Sequence, residues 1–233
     1  MRRVFVVLAV ALFAVLFAGI AVSYTERQSL PPLAASYVRL VPQELGVPNI
    51  ITGILLTYRG FDTLGEVAVL FMVAAGVGLL LGERGPRRED VAPVEPEATP
   101  STEIVQNGAT VLLPLIAIFA AYIIMNGHLS AGGGFQGGAI IASGVMLLLL
   151  AKPEYGINLD FLGITESLAG VLYVLVGIAG LMFAGGFLDS RMLPLGQFGA
   201  FFSAGAIPII SVLLGVKVGC ELSVIIDRFR SRA

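Results

Sequence analysis

The stretch that decides the fold is residues 4–22, VFVVLAVALFAVLFAGIAV, which contains no charged side chain. At about 1.5 Å per residue, a helix of this length crosses roughly 30 Å of hydrocarbon. Arg2 and Arg3 before it, and the small residues near its end, also fit a cleaved signal peptide. Because the apolar run is long for the hydrophobic region of a signal peptide, we expect a retained membrane helix.

The composition of the whole chain extends this expectation. Of its 233 residues, 57% are hydrophobic and 13% are charged, whereas soluble domains are about half apolar and about a quarter charged. The composition predicts an all-α, polytopic membrane protein. A net charge of −2 excludes a strongly basic nucleic-acid binder. One Cys and one His exclude a disulfide framework, a Cys/His zinc site and an Fe–S cluster held by this chain.

Five further apolar runs are candidates for membrane helices: residues 64–82, 109–125, 135–151, 164–184 and 201–226. The run at 135–151 is short and needs part of the glycine segment that precedes it. Residues 48–58 are apolar but too few to span a bilayer, and the polar segment 59–62 follows them. The pattern predicts six transmembrane helices with one short re-entrant or interfacial helix.

A proline-rich, charged segment divides these spans into two groups. Residues 84–107 contain Pro86, Pro93, Pro96 and Pro100 among charges of both signs, which is typical of an extended, solvated linker. We therefore expect a two-span module at 1–83, a cytoplasmic linker at 84–107 and a four-span module at 108–233.

The distribution of lysine and arginine predicts the orientation. With the N-terminus inside, nine of these residues lie in inner segments: Arg2, Arg3, Arg84, Arg87, Arg88, Lys152, Arg228, Arg230 and Arg232. Four lie in outer segments: Arg27, Arg39, Arg59 and Arg191. Cytoplasmic loops carry the excess of positive charge, so we expect a multi-pass protein of the cell membrane with both termini cytoplasmic.

Residues 127–138, GHLSAGGGFQGG, contain six glycines in twelve positions. A dinucleotide-binding loop is excluded because that motif needs a preceding strand, and membrane helices are predicted on both sides. Two interpretations remain. Either the glycines allow close helix packing, or the loop lines a polar path with its free backbone groups. The glycines concerned are Gly132, Gly133, Gly134, Gly137 and Gly138.

Ionisable residues within the predicted spans are the main functional candidates. Lys217 and Glu221 are four residues apart and share one helix face; counted from Arg228, they lie ~16 Å and ~10 Å deep. Such charges face protein or water rather than lipid, so the pair is either a self-neutralising structural pair or part of an ion route. His128 beside the glycines is either a structural hydrogen-bonding group or a proton relay, since its ordinary pKa lies near neutrality.

Three carboxylates complete the candidates. Asp62 lies at the start of the second span, where the helix dipole stabilises a negative charge. Glu66 lies one turn further in, where that explanation is weaker. Glu166 lies about one turn inside the fifth span, and snorkelling or helix capping accounts for it as well as an ion route does.

The glycine segment also carries a family resemblance. Gly127-His128 followed by Gly132–Gly134, Phe135-Gln136 and two more glycines resembles the signature of the B subunit of Mrp-type (Mnh-type) sodium/proton antiporters, and the resemblance covers roughly residues 104–233. The segments PNIITGILL at 48–56 and RGFDTLGE at 59–66 resemble the C-terminal part of the A subunit. In archaeal membrane-bound hydrogenases that part is a separate E subunit. The chain therefore resembles a fusion of two subunits.

The resemblance implies a membrane subunit of a complex I-like assembly that exchanges Na+ for protons. Such assemblies stand alone or are attached to a hydrogenase or sulfane sulfur reductase arm. The expected partners are other Mrp-type subunits, a large antiporter-like subunit and membrane lipid, without nucleic acid. No catalytic centre or cofactor is expected in this chain; Fe–S clusters, and a Ni–Fe centre in the hydrogenase type, belong to partner subunits.

We expect Glu66, Asp62 and His128 to line or gate a path from the outer side, and Lys217 and Glu221 to polarise or relay ions near the midplane. Two alternatives to a subunit coupled to a redox arm remain open. One is a subunit of a free-standing antiporter, and the other is a purely structural membrane adaptor, which the spacing of Gly134 and Gly138 also fits.

Overall fold

The structure, a computed structural model, describes residues 2–26, 28–82 and 101–230. Most of the predicted linker, 84–100, lies outside these residues, as do Arg27, Arg84, Arg87, Arg88 and Arg232 of the predicted charge distribution. The described part of the chain is helical and contains no strand, which confirms the predicted all-α class.

Eight α-helices are described, and their bounds are α1 Arg2–Ser23, α2 Pro32–Leu45, α3 Ile50–Gly53, α4 Gly60–Gly82, α5 Glu103–Met125, α6 Gly134–Ala151, α7 Leu159–Phe183 and α8 Ile207–Arg230. A π-helix, Ile54–Tyr58, continues α3, and a short 3-10 helix, Ser190–Met192, precedes α8. Six helices of the described chain, α1 and α4–α8, are long and apolar enough to cross a membrane. The prediction of six spans and one short extra helix is confirmed.

The chain divides into two compact units, residues 1–36 and 37–233. In the first unit, α1 is apolar and exposed along its described length. In the second unit, α8 is the central helix and packs against α4, α5, α6 and α7. Its buried side chains include Ile207, Ile210, Leu214 and Val218. The polar residues of α8 are therefore held inside a helix bundle.

Four spans begin about a turn or more away from the predicted residue, and two of these differences have a local cause in the backbone or in a helix cap. The sixth helix begins at Ile207 rather than at residue 201, because Ala204 and Gly205 adopt positive φ angles of 67° and 59°, which a right-handed helix cannot include. The fifth begins at Leu159 rather than at 164, since the Asn158 side chain accepts a hydrogen bond from the Phe161 N–H and caps the helix. Hydropathy alone carries neither signal.

The second and third predicted spans also begin earlier than expected. The helix α4 starts at Gly60 rather than at 64, and α5 starts at Glu103, within the segment predicted as linker. The charged residues of these first turns lowered the local hydropathy, although the backbone is already helical there.

One helix, α2, was not predicted. Tyr37, Val41 and Leu45 recur at four-residue spacing along it, and Val41 and Leu45 are fully buried. That spacing, with Pro32 at the first helical position, is the signal that could have revealed α2. Val41 and Leu45 pack closely against Gly53 of α3, so α2 supports the short helix.

Loops of the second unit gather at two opposite ends. At one end, the Asn49 N–H donates to the His128 carbonyl, and the His128 ring forms a hydrogen bond with the Phe201 carbonyl. At the other end, Arg230 donates to the carbonyls of Pro153 and Tyr155. This grouping agrees with the predicted alternation of α4–α8 across the membrane.

Candidate functional site

A cluster of three charged side chains lies inside the bundle. The Lys217 ammonium on α8 donates to Glu166 Oε1 of α7 at 2.9 Å and to Glu221 Oε2 at 3.1 Å. The exposed fractions of these side chains are 7% for Lys217, 15% for Glu166 and 0% for Glu221. We call these three residues the charge cluster.

Three helices position the charge cluster. The four-residue spacing on α8 places Lys217 beside Glu221, as the sequence predicted. Packing of α7 against α8 brings in Glu166, and Gly170, one turn further along α7, lies beside the aliphatic part of the lysine. From α4, the Phe71 ring lies 5.7 Å from the Lys217 ammonium, within the range of a cation–π interaction.

Glu166 has a partner that the sequence did not reveal. Its carboxylate pairs with Lys217 from a neighbouring helix. The two residues are 51 positions apart, so the helix periodicity of either segment could not reveal the contact.

The charge cluster borders a cleft on the flank of the bundle. The cleft has a volume of about 450 Å³ and lies between α4 and α7, with Glu166, Lys217, Ser167 and Phe71 among its lining residues. Glu221 is fully buried and does not line the cleft. A charge within a membrane span needs water or protein as its neighbour. Water or a partner protein can reach the cluster through this cleft, because Glu166 and Lys217 line it.

Glu66 lies in a different place, on a cavity of about 220 Å³ at the start of α4. Thr52 and Thr63 share this cavity with Glu66, and the glycine segment 132–134 forms another wall. Both hydroxyls donate to backbone carbonyls, Thr52 to Gly127 and Thr63 to Leu55. Their oxygen lone pairs can still accept, so the cavity offers oxygen ligands of the kind that a hard cation prefers.

Asp62 does not line that cavity. It forms an ion pair with Arg59, and both side chains are about half exposed. The structure therefore separates Asp62 from Glu66, which the sequence had grouped together.

His128 is 1% exposed and lies in the loop between α5 and α6. Its Nε2 lies 3.1 Å from the Phe201 carbonyl, which can only accept, so Nε2 carries the proton. Nδ1 has no partner among the described residues. Burial lowers the pKa of His128, and nearby carbonyls of Ala200, Phe201 and Met125 offset only part of that effect.

The glycines lie at helix contacts. A Cβ at Gly134 would be 2.4 Å from the Ser211 carbonyl oxygen, and one at Gly138 would be 2.8 Å from Val218 Cβ, both on α8. A Cβ at Gly137 would be 2.2 Å from Ile124 on α5. Gly132 and Gly133 line the cavity beside Glu66. The structure therefore supports close packing at Gly134, Gly137 and Gly138, whereas a polar path along the loop stays a prediction.

Two further polar contacts lie outside the candidate membrane-spanning helices. The Tyr58 hydroxyl donates to Glu44, and burial together with this carboxylate raises the pKa of Tyr58 to about 12. Burial opposes ionisation of Asp189, but hydrogen bonds from Arg191 outweigh it and hold the pKa of Asp189 below its ordinary value. Chain position alone gave no signal for the Tyr58–Glu44 contact.

Tyr173, within α7, is a further buried polar residue that the sequence did not bring out. Its side chain is 1% exposed, and its hydroxyl has no hydrogen-bond partner among the described residues. Within the described ranges, no group of three or more His, Cys, Asp or Glu side chains could hold a metal ion.

Two protein families match the chain. The family described as a domain related to the MnhB subunit of Na+/H+ antiporter matches residues 104–224. The MbhE family, described as the E subunit of MBH, matches residues 1–97.

Solved structures and curated proteins are similar as well. A chain in the structure of the membrane-bound sulfane sulfur reductase, an archaeal respiratory membrane complex, is 36% identical with a TM-score of 0.79, covering 98% of this chain and 97% of that one. A chain of the Mrp complex from Dietzia sp. is 27% identical with a TM-score of 0.75, covering 98% of this chain but 26% of that one. The B subunit of the Na(+)/H(+) antiporter of Bacillus subtilis is 36% identical over 81 residues, which are 35% of this chain and 51% of that protein.

Proposed function

The chain belongs to the family of domains related to the MnhB subunit of Na+/H+ antiporters, and we propose that it is a non-redox membrane subunit of an Mrp-type ion-translocating module. In this role it helps to form the Na+/H+ pathway of a multi-subunit membrane complex. The similar chains in the sulfane sulfur reductase and Mrp complexes support this assignment.

The observation that carries the proposal is the charge cluster. Placing one charge in the middle of a membrane helix costs at least ~2.5–3.5 kcal/mol on insertion scales. Here three ionisable groups lie together on two apolar helices, and two of them, Glu166 and Lys217, border a cleft. Lys–Glu pairs of this kind suit proton-linked charge switching, in which a proton moves as the pair forms or separates.

The outer part of the pathway is proposed to begin at Glu66. Its carboxylate and the Thr52 and Thr63 hydroxyls face one cavity with the glycine segment, and such oxygen ligands suit Na+. His128 is proposed to hold the neighbouring loop in place. Asp62 is proposed to serve at the entrance, where it is about half exposed and pairs with Arg59.

Redox free energy is proposed to enter through partner subunits. The similarity over nearly the full length of a sulfane sulfur reductase chain favours a complex with a redox arm, whose Fe–S clusters, and Ni–Fe centre in a hydrogenase, would be held by other chains. A free-standing antiporter is the second candidate, favoured by the B. subtilis similarity. In both cases the partners are Mrp-type subunits and a large antiporter-like subunit.

The module boundaries and the orientation are part of the proposal. Two families matching residues 1–97 and 104–224 support a two-span module at 1–83 and a four-span module at 108–233, joined by the linker. The excess of inner lysines and arginines supports cytoplasmic termini.

Substitution of Glu66 and Lys217 tests the proposal. Glu66→Gln and Lys217→Ala are each introduced into the assembled complex, and sodium-dependent proton flux is measured in vesicles. Glu154→Gln and Lys152→Ala, in the loop between α6 and α7, are the matched controls. Among the variants that assemble, we expect flux to fall strongly in the first two and to stay unchanged in the controls.

The structural-adaptor alternative makes the opposite prediction. If ions pass elsewhere, both Glu66→Gln and Lys217→Ala assemble and transport normally. Assembly is checked first by purification of the complex, so that a loss of flux is assigned to transport and not to loss of the subunit.

A further inference from the structure

The charge cluster contains two carboxylates and one ammonium. Both carboxylates lie within hydrogen-bonding distance of Lys217, at 2.9 and 3.1 Å. With all three groups ionised, the cluster has a net charge of −1 inside the bundle. Within the described residues, no further ion pair reaches Glu166 or Glu221.

Among the described residues around the cluster, no second positively charged side chain pairs with its carboxylates. The cleft wall on α4 consists of apolar side chains, with Phe71 over the lysine. The wall on α7 contributes Ser167 and Gly170. On α8, Arg228 lies on the same face two turns beyond Glu221, but its guanidinium donates to the Ala74 carbonyl of α4. An uncompensated negative charge in such surroundings is strongly disfavoured.

The two carboxylates differ in a way that locates the compensating charge. Glu166 is 15% exposed and borders the cleft, where water can solvate an ionised group. Glu221 is fully buried; its Oε2 accepts from Lys217, while Oε1 has no partner among the described residues. An unpartnered oxygen in an apolar interior costs less as the hydroxyl of a neutral acid than as part of an ionised carboxylate.

We propose that the charge cluster is a proton-binding site that holds one proton on Glu221 Oε1, beside a Lys217–Glu166 ion pair. The role of this site in transport rests on the proposed function. The proposal adds that the ion bound at this position is a proton rather than Na+. The bound proton makes the cluster neutral. When the proton leaves, two ionised carboxylates share one ammonium, and the resulting net negative charge attracts the next proton.

Infrared difference spectroscopy of the purified complex tests the site directly. A protonated carboxyl group has a C=O stretching band, separate from carboxylate bands, that shifts in D2O. We expect such a band at neutral pH. Glu221→Gln abolishes it. Glu166→Gln also abolishes it, because Glu221 then ionises as the only partner of Lys217. Lys217→Gln increases it, because both carboxyls are then neutral.

Glu154→Gln, in an exposed loop, is the control and leaves the band unchanged. Absence of the band from the unmodified complex, or a band that none of the three cluster variants changes, overturns the proposal. The first of these results needs only the unmodified complex, so it tests the proposal even if a variant misfolds.

This measurement is independent of the flux experiment. A band that responds to the cluster variants, together with normal flux in Lys217→Ala, retains the proton site and rejects its role in transport. Lost flux without the band retains the proposed function and rejects the bound proton.

Discussion

At the scale of single residues, Lys217 shows how a charge is kept within a membrane span. Its ammonium contacts Glu166, Glu221 and the face of Phe71, contributed by three helices. Removal of one member of a buried ion pair leaves the other uncompensated, which typically costs ~3–5 kcal/mol. Substitutions in the cluster can therefore destabilise the bundle, and tests of its proposed role in transport need variants that preserve assembly.

His128 makes the stability of the chain depend on pH. Burial lowers its pKa below 6.5 in the folded state, so below pH 6.5 the unfolded chain binds more protons than the folded chain. Its contribution to stability is complete above that pH and is lost as the pH falls towards the folded-state pKa, by at most about 1.4 kcal/mol per pH unit. Thermal unfolding of the purified complex at a series of pH values measures this loss.

His128→Gln provides the control for this prediction. Glutamine can donate to the Phe201 carbonyl as the ring does, but it does not titrate. We expect the variant to lose less stability than the unmodified chain between pH 6.5 and about one unit below it. Equal losses in the two proteins would show that His128 is not buried in its neutral form.

At the scale of secondary-structure elements, Asn49 joins the short helix α3 to the glycine loop. Its side-chain amide donates to the carbonyls of Gly127 at 2.8 Å and Ser130 at 2.7 Å. Asn49→Asp removes both donors and places a carboxylate against two carbonyl oxygens. We expect a loss of ~1–3 kcal/mol in stability, measured by thermal unfolding.

Asn158→Asp is the matched variant for Asn49→Asp. Asn158 caps α7 through its side-chain oxygen alone, which accepts from the Phe161 N–H at 2.9 Å, and a carboxylate does the same beside the positive end of the helix dipole. This variant should stay within about 0.5 kcal/mol of the unmodified chain. Equal destabilisation by the two substitutions would mean that the Asn49 amide donors contribute nothing.

The contact between α6 and α8 depends on the absence of a side chain at Gly138. In Gly138→Ala, the added Cβ lies 2.8 Å from Val218 Cβ and 2.9 Å from the Gly215 carbonyl oxygen, so the helices must separate at a cost of ~1–3 kcal/mol. In the control Gly163→Ala, on α7, the Cβ meets nothing within 4 Å. Thermal unfolding should show a lower midpoint for the first variant only, and equal midpoints would contradict the close packing.

The extent to which these elements could be predicted depends on which forces place them. Length and hydropathy were enough for the six spans, because lipid demands about 20 apolar residues from any crossing helix. They failed for residues 201–206, which are as apolar as a span but turn at Ala204 and Gly205. The Lys217–Glu221 contact followed from helix periodicity, whereas Glu166 joined it only through packing of α7 on α8.

At the scale of the whole molecule, contacts between the two proposed modules join them without the linker. Arg228 of α8 donates to the Ala74 carbonyl of α4 at 3.1 Å, and Gly78 leaves room for its guanidinium. Asn49 makes a second connection. We expect residues 1–92 and 93–233, expressed together as separate chains, to co-purify as one membrane complex.

Asn49→Asp provides the control for the divided chain. Since the two pieces are no longer tethered, the same substitution should weaken their association as well as their stability. Pieces that separate completely without any substitution would contradict the idea of two modules held together by their own interface.

The central claim is that the charges within the spans are kept because they face a wet or polar path. A map of the assembled complex in lipid, detailed enough to show water, tests this most directly at the cleft between α4 and α7. Water or a polar side chain of a partner subunit within hydrogen-bonding distance of Glu166 and Lys217 is the predicted result. Lipid acyl chains packed directly against both side chains, with no water between, would contradict it.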